Sequence, residues 1–169
     1  SGTLHPTMAS NIEKAIQSGI FVMDGGMGTA VQSMDLDPIR DYVDRENCTD
    51  ILTNSRPDIV RSIHDSFLVA GVDAIETNTF GANRLVLSEF DEEVAGWAYE
   101  LNVQSAKIAR EACDAIDGKR YVLGSMGPGT KLITLGQTTW DNMLDSYTEQ
   151  AKGLLEGGVD AFLIETCQD

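Results

Sequence analysis

Asp160-Ala161-Phe162-Leu163-Ile164-Glu165-Thr166-Cys167 is an apolar run that ends in a carboxylate. Entered from Gly157-Gly158 and closed by polar residues, it predicts a strand covered on both faces, as in a parallel sheet. The phrase has a precedent. Ala70-Gly71-Val72-Asp73-Ala74-Ile75-Glu76-Thr77 matches Gly157-Gly158-Val159-Asp160-Ala161 and Ile164-Glu165-Thr166 almost residue for residue, which points to a repeated helix-turn-strand unit. Ile20-Phe21-Val22-Met23-Asp24 and Tyr121-Val122-Leu123-Gly124-Ser125 supply two further strands. All four end in small, polar or acidic residues.

Helical patterns fill the intervals. Ser10 to Ser18 is a short helix with Ser10 or Asn11 as its cap, ended by Gly19. Pro57 sets the start of a second helix, with Ile59, Val60, Ile63, Phe67 and Leu68 on one face; His64 on that helix is a surface or packing residue. A long helix from about Glu92 to Ala115 places Val94, Trp97, Leu101, Ala109 and Ala112 at three- and four-residue spacing. A last helix, Trp140 to Glu156, turns Met143, Leu144, Tyr147, Ala151, Leu154 and Leu155 inward. The acidic stretch Asp35 to Asp50 reads as an irregular excursion pinned by Leu36, Ile39, Tyr42 and Val43. His5 falls in a terminus expected to be mobile.

Composition limits the function. The chain has 169 residues, 42% of them apolar, enough for one domain with a buried core. Its formal charge of -15, with only 12 Lys and Arg, argues against nucleic acid and anionic membranes as partners. Neither a membrane span nor a secretory signal is legible, so the expected compartment is the cytosol. Cys48, Cys113 and Cys167 are far apart, without a C-x-x-C pair, and encode neither a disulfide framework nor a zinc ribbon.

Alternating strands and helices give an α/β class with a parallel sheet. An open doubly wound sheet needs G-x-G-x-x-G after its first strand, whereas Asp24-Gly25-Gly26-Met27-Gly28 has its glycines at other spacings. A (β/α)8 barrel puts functional groups at the C-terminal strand ends, where Asp24, Thr77, Ser125 and Glu165 fall. A whole barrel needs roughly 250 residues. The expected fold is therefore its first four βα units, a half barrel over 20–169 preceded by an extension and short helix over 1–19.

Four phrases carry a family resemblance: Phe21-Val22-Met23-Asp24-Gly25-Gly26-Met27-Gly28-Thr29, Arg56-Pro57-Asp58-Ile59-Val60, Glu76-Thr77-Asn78-Thr79-Phe80-Gly81, and Gly124-Ser125-Met126-Gly127-Pro128-Gly129-Thr130-Lys131-Leu132. In this order they resemble the homocysteine-binding barrel of the homocysteine S-methyltransferase family, closest to its cobalamin-dependent, methionine-forming branch. The resemblance implies methyl transfer from methylcobalamin, supplied by methyltetrahydrofolate, to homocysteine held as a zinc thiolate. Zinc suits that chemistry because a free thiol, with a pKa of about 8.5, is mostly protonated at neutral pH.

The resemblance also implies three cysteine zinc ligands beyond strands six and eight. The expectation here is thus no metal ligand, no catalytic residue and no tightly bound cofactor in this chain, which would be inactive alone. Asp24 and Glu165 match positions that hold the homocysteine ammonium; Gly25, Gly26, Met27 and Thr77 would contact its carboxylate or backbone, with Asn78 and Ser125 as weaker candidates. Glu76, alternating with Thr77, is expected to be structural. Expected partners are homocysteine, the remaining half of the barrel, and folate and cobalamin domains, or a second copy through open sheet edges. Betaine- or S-methylmethionine-dependent transfer, an acid and base pair formed by Asp24 and Glu165, and a non-catalytic half-barrel module remain as alternatives.

Overall fold

The computed structural model describes residues 6–167. Its centre is a parallel sheet of β1 (Ala74–Glu76), β2 (Tyr121–Met126) and β3 (Ala161–Ile164), in that order. Ala74 pairs with Tyr121 and Leu123 with Ala161. Four short or medium helices precede or follow the N-terminal segment: α1 (Pro6–Gln17), α2 (Met27–Gln32), α3 (Leu52–Ser55) and α4 (Pro57–Ala70). α5 (Arg84–Leu87), α6 (Glu92–Ala95) and α7 (Ala98–Asp114) separate β1 from β2, and α8 (Trp140–Gly157) separates β2 from β3.

The repeated phrase makes the same clasp twice. Gly71 and Gly158 end α4 and α8 in the left-handed conformation, at φ of 97° and 93°, where a side chain would be strained. One residue later the chain turns, and an aspartate meets the neighbouring strand. The Asp73 amide donates to Val22 O at 2.8 Å while its carboxylate accepts Val22 N–H at 2.8 Å. Asp160 repeats both bonds with Val122, again at 2.8 Å. Arg110 also donates to the Asp160 carboxylate.

Alternation along the strands divides the core in two. Ile75 and Val122 face α4, α7 and α8 and pack with Leu68, Ala106, Ala109 and Leu154. Ala74, Tyr121 and Leu123 face the other way, with Phe21, Met23, Ala161 and Leu163, and Ile12 of α1 closes this inner face from below. The Tyr121 hydroxyl donates to Asn11 O at 3.2 Å.

Several expectations change. The first strand is reduced to one bridge, Met23 with Ala74. Phe21–Asp24 borders β1 on one side only, and Ile20 is 93% exposed, so a ladder has little to stabilise it. β3 is not covered on both faces: Phe162 and Ile164, on the helix side, are exposed because no described helix packs over them. Helix one starts at Pro6 rather than Ser10, and the long helix expected from Glu92 breaks at Gly96-Trp97 into α6 and α7. Leu144 and Leu155 point outward. α8 instead meets α7 through Gly153 and Gly157, which permit close approach, while Ser146 accepts Leu85 N–H at 3.3 Å and Gln150 donates to Thr79 O at 2.8 Å. At Gly153 an added Cβ would lie 2.7 Å from Tyr99 O.

The acidic excursion is also held otherwise than its apolar residues suggest. Leu36 and Tyr42 pack on the Val31, Leu52 and Val60 cluster, but Ile39 and Val43 are exposed. The anchor is buried Asp41, which accepts the Asp37 N–H at 2.9 Å and ion-pairs with Arg40 and Arg56 at 2.8 and 2.9 Å. Arg40 and the Asp37 amide, with Arg56, hold its pKa far below the usual carboxylate range. His64 is fully buried. His5 lies outside the described residues.

Candidate functional site

Extending the inner-face alternation past the strand ends brings Glu76, Ser125 and Glu165 to the top of the sheet, beside Asp24 from the first segment. They line one cavity of about 440 Å³ with Gly25, Gly26, Met27, Thr77, Asn78, Asp50, Phe80 and Phe90 among its walls. All eight residues singled out in the sequence, Asp24, Gly25, Gly26, Met27, Thr77, Asn78, Ser125 and Glu165, meet here. Their side chains are not equally available. Thr77 Oγ1 accepts Ser125 N–H at 3.0 Å and pairs with Thr79 Oγ1 at 2.6 Å. Asn78 donates to Thr49 O at 2.9 Å, and its own amide donates to Ser105 Oγ at 2.8 Å. Both residues shape the wall through their backbone and tie it to α7 and to the turn before α3.

The carboxylates give the cavity its charge. Asp24 accepts the Glu76 N–H through both oxygens, at 3.0 and 3.1 Å. Ser125 donates to Glu165 Oε1 at 2.6 Å. Burial pushes the Asp24 pKa up to about 7, against the Glu76 and Asp24 amides that lower it, and the Glu165 charge adds to the rise. Glu76 rises further, through burial first and then through the Glu165 and Asp24 charges. Asp50, which accepts Gly81 N–H at 3.1 Å, is pushed up to about 6 by burial. No Lys, Arg or His is among the residues lining the cavity. Four acidic groups without an internal cation favour a positively charged ligand group, for which they supply charge-assisted acceptors.

Glu76 and Asp50 are the residues that sequence reasoning left out. Thr77 lies past the end of β1 and turns toward Ser125, so alternation counted from Thr77 misplaced Glu76. The repeat itself holds the better signal, because Ile75-Glu76-Thr77 stands where Ile164-Glu165-Thr166 does. Asp50 offered none, since it is one of several acids in an irregular stretch.

The cysteines do not form a metal site. Among the described residues no group of three His, Cys, Asp or Glu side chains has metal-binding geometry. Cys48 packs with Ile51 and Leu87, and Cys113 with Ala109 and Val122. Burial pushes the two thiols up to about 12 and about 11, the direction opposite to a thiolate ligand. Cys167 is exposed. The residues present thus do not fit the zinc centre implied by the family resemblance.

Parallel strands, helices on their outer face and an acidic cavity at the strands' C-terminal ends define a segment of a (β/α)8 barrel. The chain belongs to the homocysteine S-methyltransferase family, whose model matches residues 21–169. It is 48% identical over 153 residues to the methionine synthase of Mycobacterium tuberculosis (strain ATCC 25618 / H37Rv), covering 89% of this chain and 13% of that protein. Against the methionine synthase of Mycobacterium leprae (strain TN) the identity is 44% over 163 residues, covering 95% and 13%. The chain thus spans 13% of the length of these relatives. Among solved structures, the homocysteine methyltransferase MmuM from Escherichia coli in its metallated form superimposes with a TM-score of 0.70 at 19% identity, over 92% of this chain and 57% of that one. The oxidised form gives 0.67 at 18%, over 90% and 55%. At these identities the likeness shows the fold.

Proposed function

We propose that this chain is the homocysteine-binding part of a methionine synthase and takes up the amino-acid end of its substrate. The observation that supports it most is the acid-lined cavity without a cation. Asp24, Glu165 and Glu76 surround the ammonium, while the backbone of Gly25, Gly26 and Met27 borders the carboxylate. Phe80 and Phe90 give the same cavity an apolar wall, suited to the methylene chain and sulfur of homocysteine. Ser125 orients Glu165 through its 2.6 Å hydrogen bond.

Zinc and cobalamin, on this reading, are bound by other parts of a longer polypeptide, and the methyl group comes from methyltetrahydrofolate through cobalamin. The remaining strands of the barrel would cover exposed Phe162 and Ile164, and the folate and cobalamin domains would follow. We place the protein in the cytosol, where free thiols such as Cys48 and Cys113 stay reduced. Among the described residues no helix is long and apolar enough to cross a membrane.

Calorimetric titration of the purified chain with L-homocysteine tests the reading. Binding without methyl transfer is expected, weakened about 10- to 100-fold by Asp24→Asn, the usual range for losing a charge-assisted hydrogen bond. Equal affinity in wild type and variant, or one tightly held zinc per chain, would overturn it.

A further inference from the structure

The loop that follows β1 is held at four consecutive residues by four different parts of the chain. Thr79 O accepts Gln150 Nε2–H from α8 at 2.8 Å, and Phe80 O accepts the Gly127 N–H from beyond β2 at 3.1 Å. Gly81 N–H donates to Asp50 at 3.1 Å, and Ala82 O accepts Asn102 Nδ2–H from α7 at 2.7 Å. Among these ties Phe80 stands 46% exposed in the cavity wall. Tyr147, three residues before Gln150, donates to Gly127 O at 2.8 Å. One face of α8 therefore sets the separation of the loops that follow β1 and β2.

Gln150 is a tie that folding does not require. It is fully buried behind the cavity, and its Oε1 has no hydrogen-bond partner among the described residues. Its nitrogen faces the Thr79 carbonyl because only the nitrogen can donate there. Thr79 O also accepts the Ala82 N–H at 3.1 Å, so an apolar side chain of similar length at 150 leaves no carbonyl unpaired and removes a buried orphan. We infer that Gln150 is a positioning residue: acting through Thr79, it fixes where the Phe80 ring stands and so how the apolar end of the ligand fits. The inference rests on the reading of the cavity as an amino-acid site, and it names a residue outside the cavity that tunes the choice among amino acids. The carboxylates select the ammonium, which every amino acid carries. The Phe80 wall separates a long apolar tail from a short one, so loosening it lowers that preference and leaves the ammonium end alone.

L-Methionine and L-2-aminobutyrate, alike at the α-carbon and different in tail length, are the probes. Both are titrated calorimetrically into the full natural polypeptide that carries this chain. Gln150→Met should weaken methionine by about 3- to 10-fold, the worth of one net hydrogen bond, and leave aminobutyrate within about twofold. Its unfolding midpoint should not fall, whereas a merely structural role would lower it. With Phe80→Ala already present, Gln150→Met should add nothing to the loss for methionine. Unchanged methionine affinity, equal weakening of both ligands, or additive losses in the double variant would overturn the inference. Hydrogen exchange of the ligand-free protein, read by mass spectrometry, decides the positioning without any ligand. Gln150→Met should speed exchange over 79–82, and unchanged protection there would overturn the role. Failure of methionine to bind the wild type would instead overturn the amino-acid reading, with the exchange result still deciding whether Gln150 fixes the loop.

Discussion

Acid should unfold this chain in part through one imidazole. His64 on α4 has no exposed surface, and neither ring nitrogen finds a hydrogen-bond partner among the described residues. Burial pushes its pKa down to about 4 from 6.5; Asp65 and Arg61 act more weakly and in opposite directions. A depressed imidazole pKa means that the fold prefers the neutral ring, while the unfolded chain accepts the proton first. Its contribution is complete above pH 6.5 and is lost progressively as pH falls toward 4. A gap of about 2.5 units at about 1.4 kcal/mol each gives about 3 kcal/mol, a large share of a domain's typical stability of about 5–15 kcal/mol. Urea unfolding followed by circular dichroism, for wild type and His64→Leu from pH 8 to pH 4, isolates this amount. Carboxylates titrate in both proteins and cancel in the difference. The variant's advantage should grow by about 3 kcal/mol between pH 6.5 and 4 and stay constant above 7. Parallel stability curves through that window would refute the reasoning.

Asp24→Asn should stabilise the fold at pH 8 and leave it unchanged at pH 4. The raised carboxyl pKa means that ionisation costs the native state increasingly from its ordinary value of 3.8 up to about 7, and the amide removes that cost; melting temperatures at the two pH values decide it. Gly127→Ala should weaken ligand binding and lower stability by about 1–3 kcal/mol, because its Cβ would lie 2.7 Å from Phe80 O and 2.8 Å from the Phe80 ring. Unchanged affinity and melting would show that the Phe80 loop yields freely. Gly157→Ala reverses the usual helix preference. The methyl should gain about 1 kcal/mol from propensity, yet it would meet Val103 O at 2.7 Å and the Ala106 side chain, so denaturant unfolding should show a net loss.

Much of this site was legible because parallel α/β architecture gathers strand ends, so residues as distant in sequence as Asp24 and Glu165 could be placed together from their positions alone. Fold class and the Pro57 helix start followed from equally local signals. What escaped depended on partners distant in sequence. Ile39 looked like an anchor by its apolar side chain, but Asp41 holds the excursion because Arg56, fifteen residues later, reaches it. Phe162 and Ile164 looked buried because apolar runs usually are; whether a helix covers the outer face of β3 is a property of the packing. Leu144 and Leu155 satisfied a helical spacing, yet the α7–α8 contact selected Gly153 and Gly157.

The repeat explains why Glu76 belongs with Glu165. Gly71-Val72-Asp73-Ala74 and Gly158-Val159-Asp160-Ala161 fix the start of each strand through the same glycine turn and aspartate clasp. From that start, Glu76 is three residues after its aspartate and Glu165 five, the second copy containing two extra residues. A strand alternates faces with every residue, so an insertion of two lengthens it and preserves which face the glutamate occupies. Ladder register sets Glu76 level with Leu123 and Ile164 level with Met126, so the second carboxylate lies four residues further along the same inner face, with β2 and Ser125 between the two strands. Each unit ends by presenting an acid to the cavity. A single inserted residue would have sent Glu165 to the outer face, beside exposed Phe162 and Ile164 and away from the cavity. The even spacing is thus what lets one repeated structural phrase line one cavity with two acids.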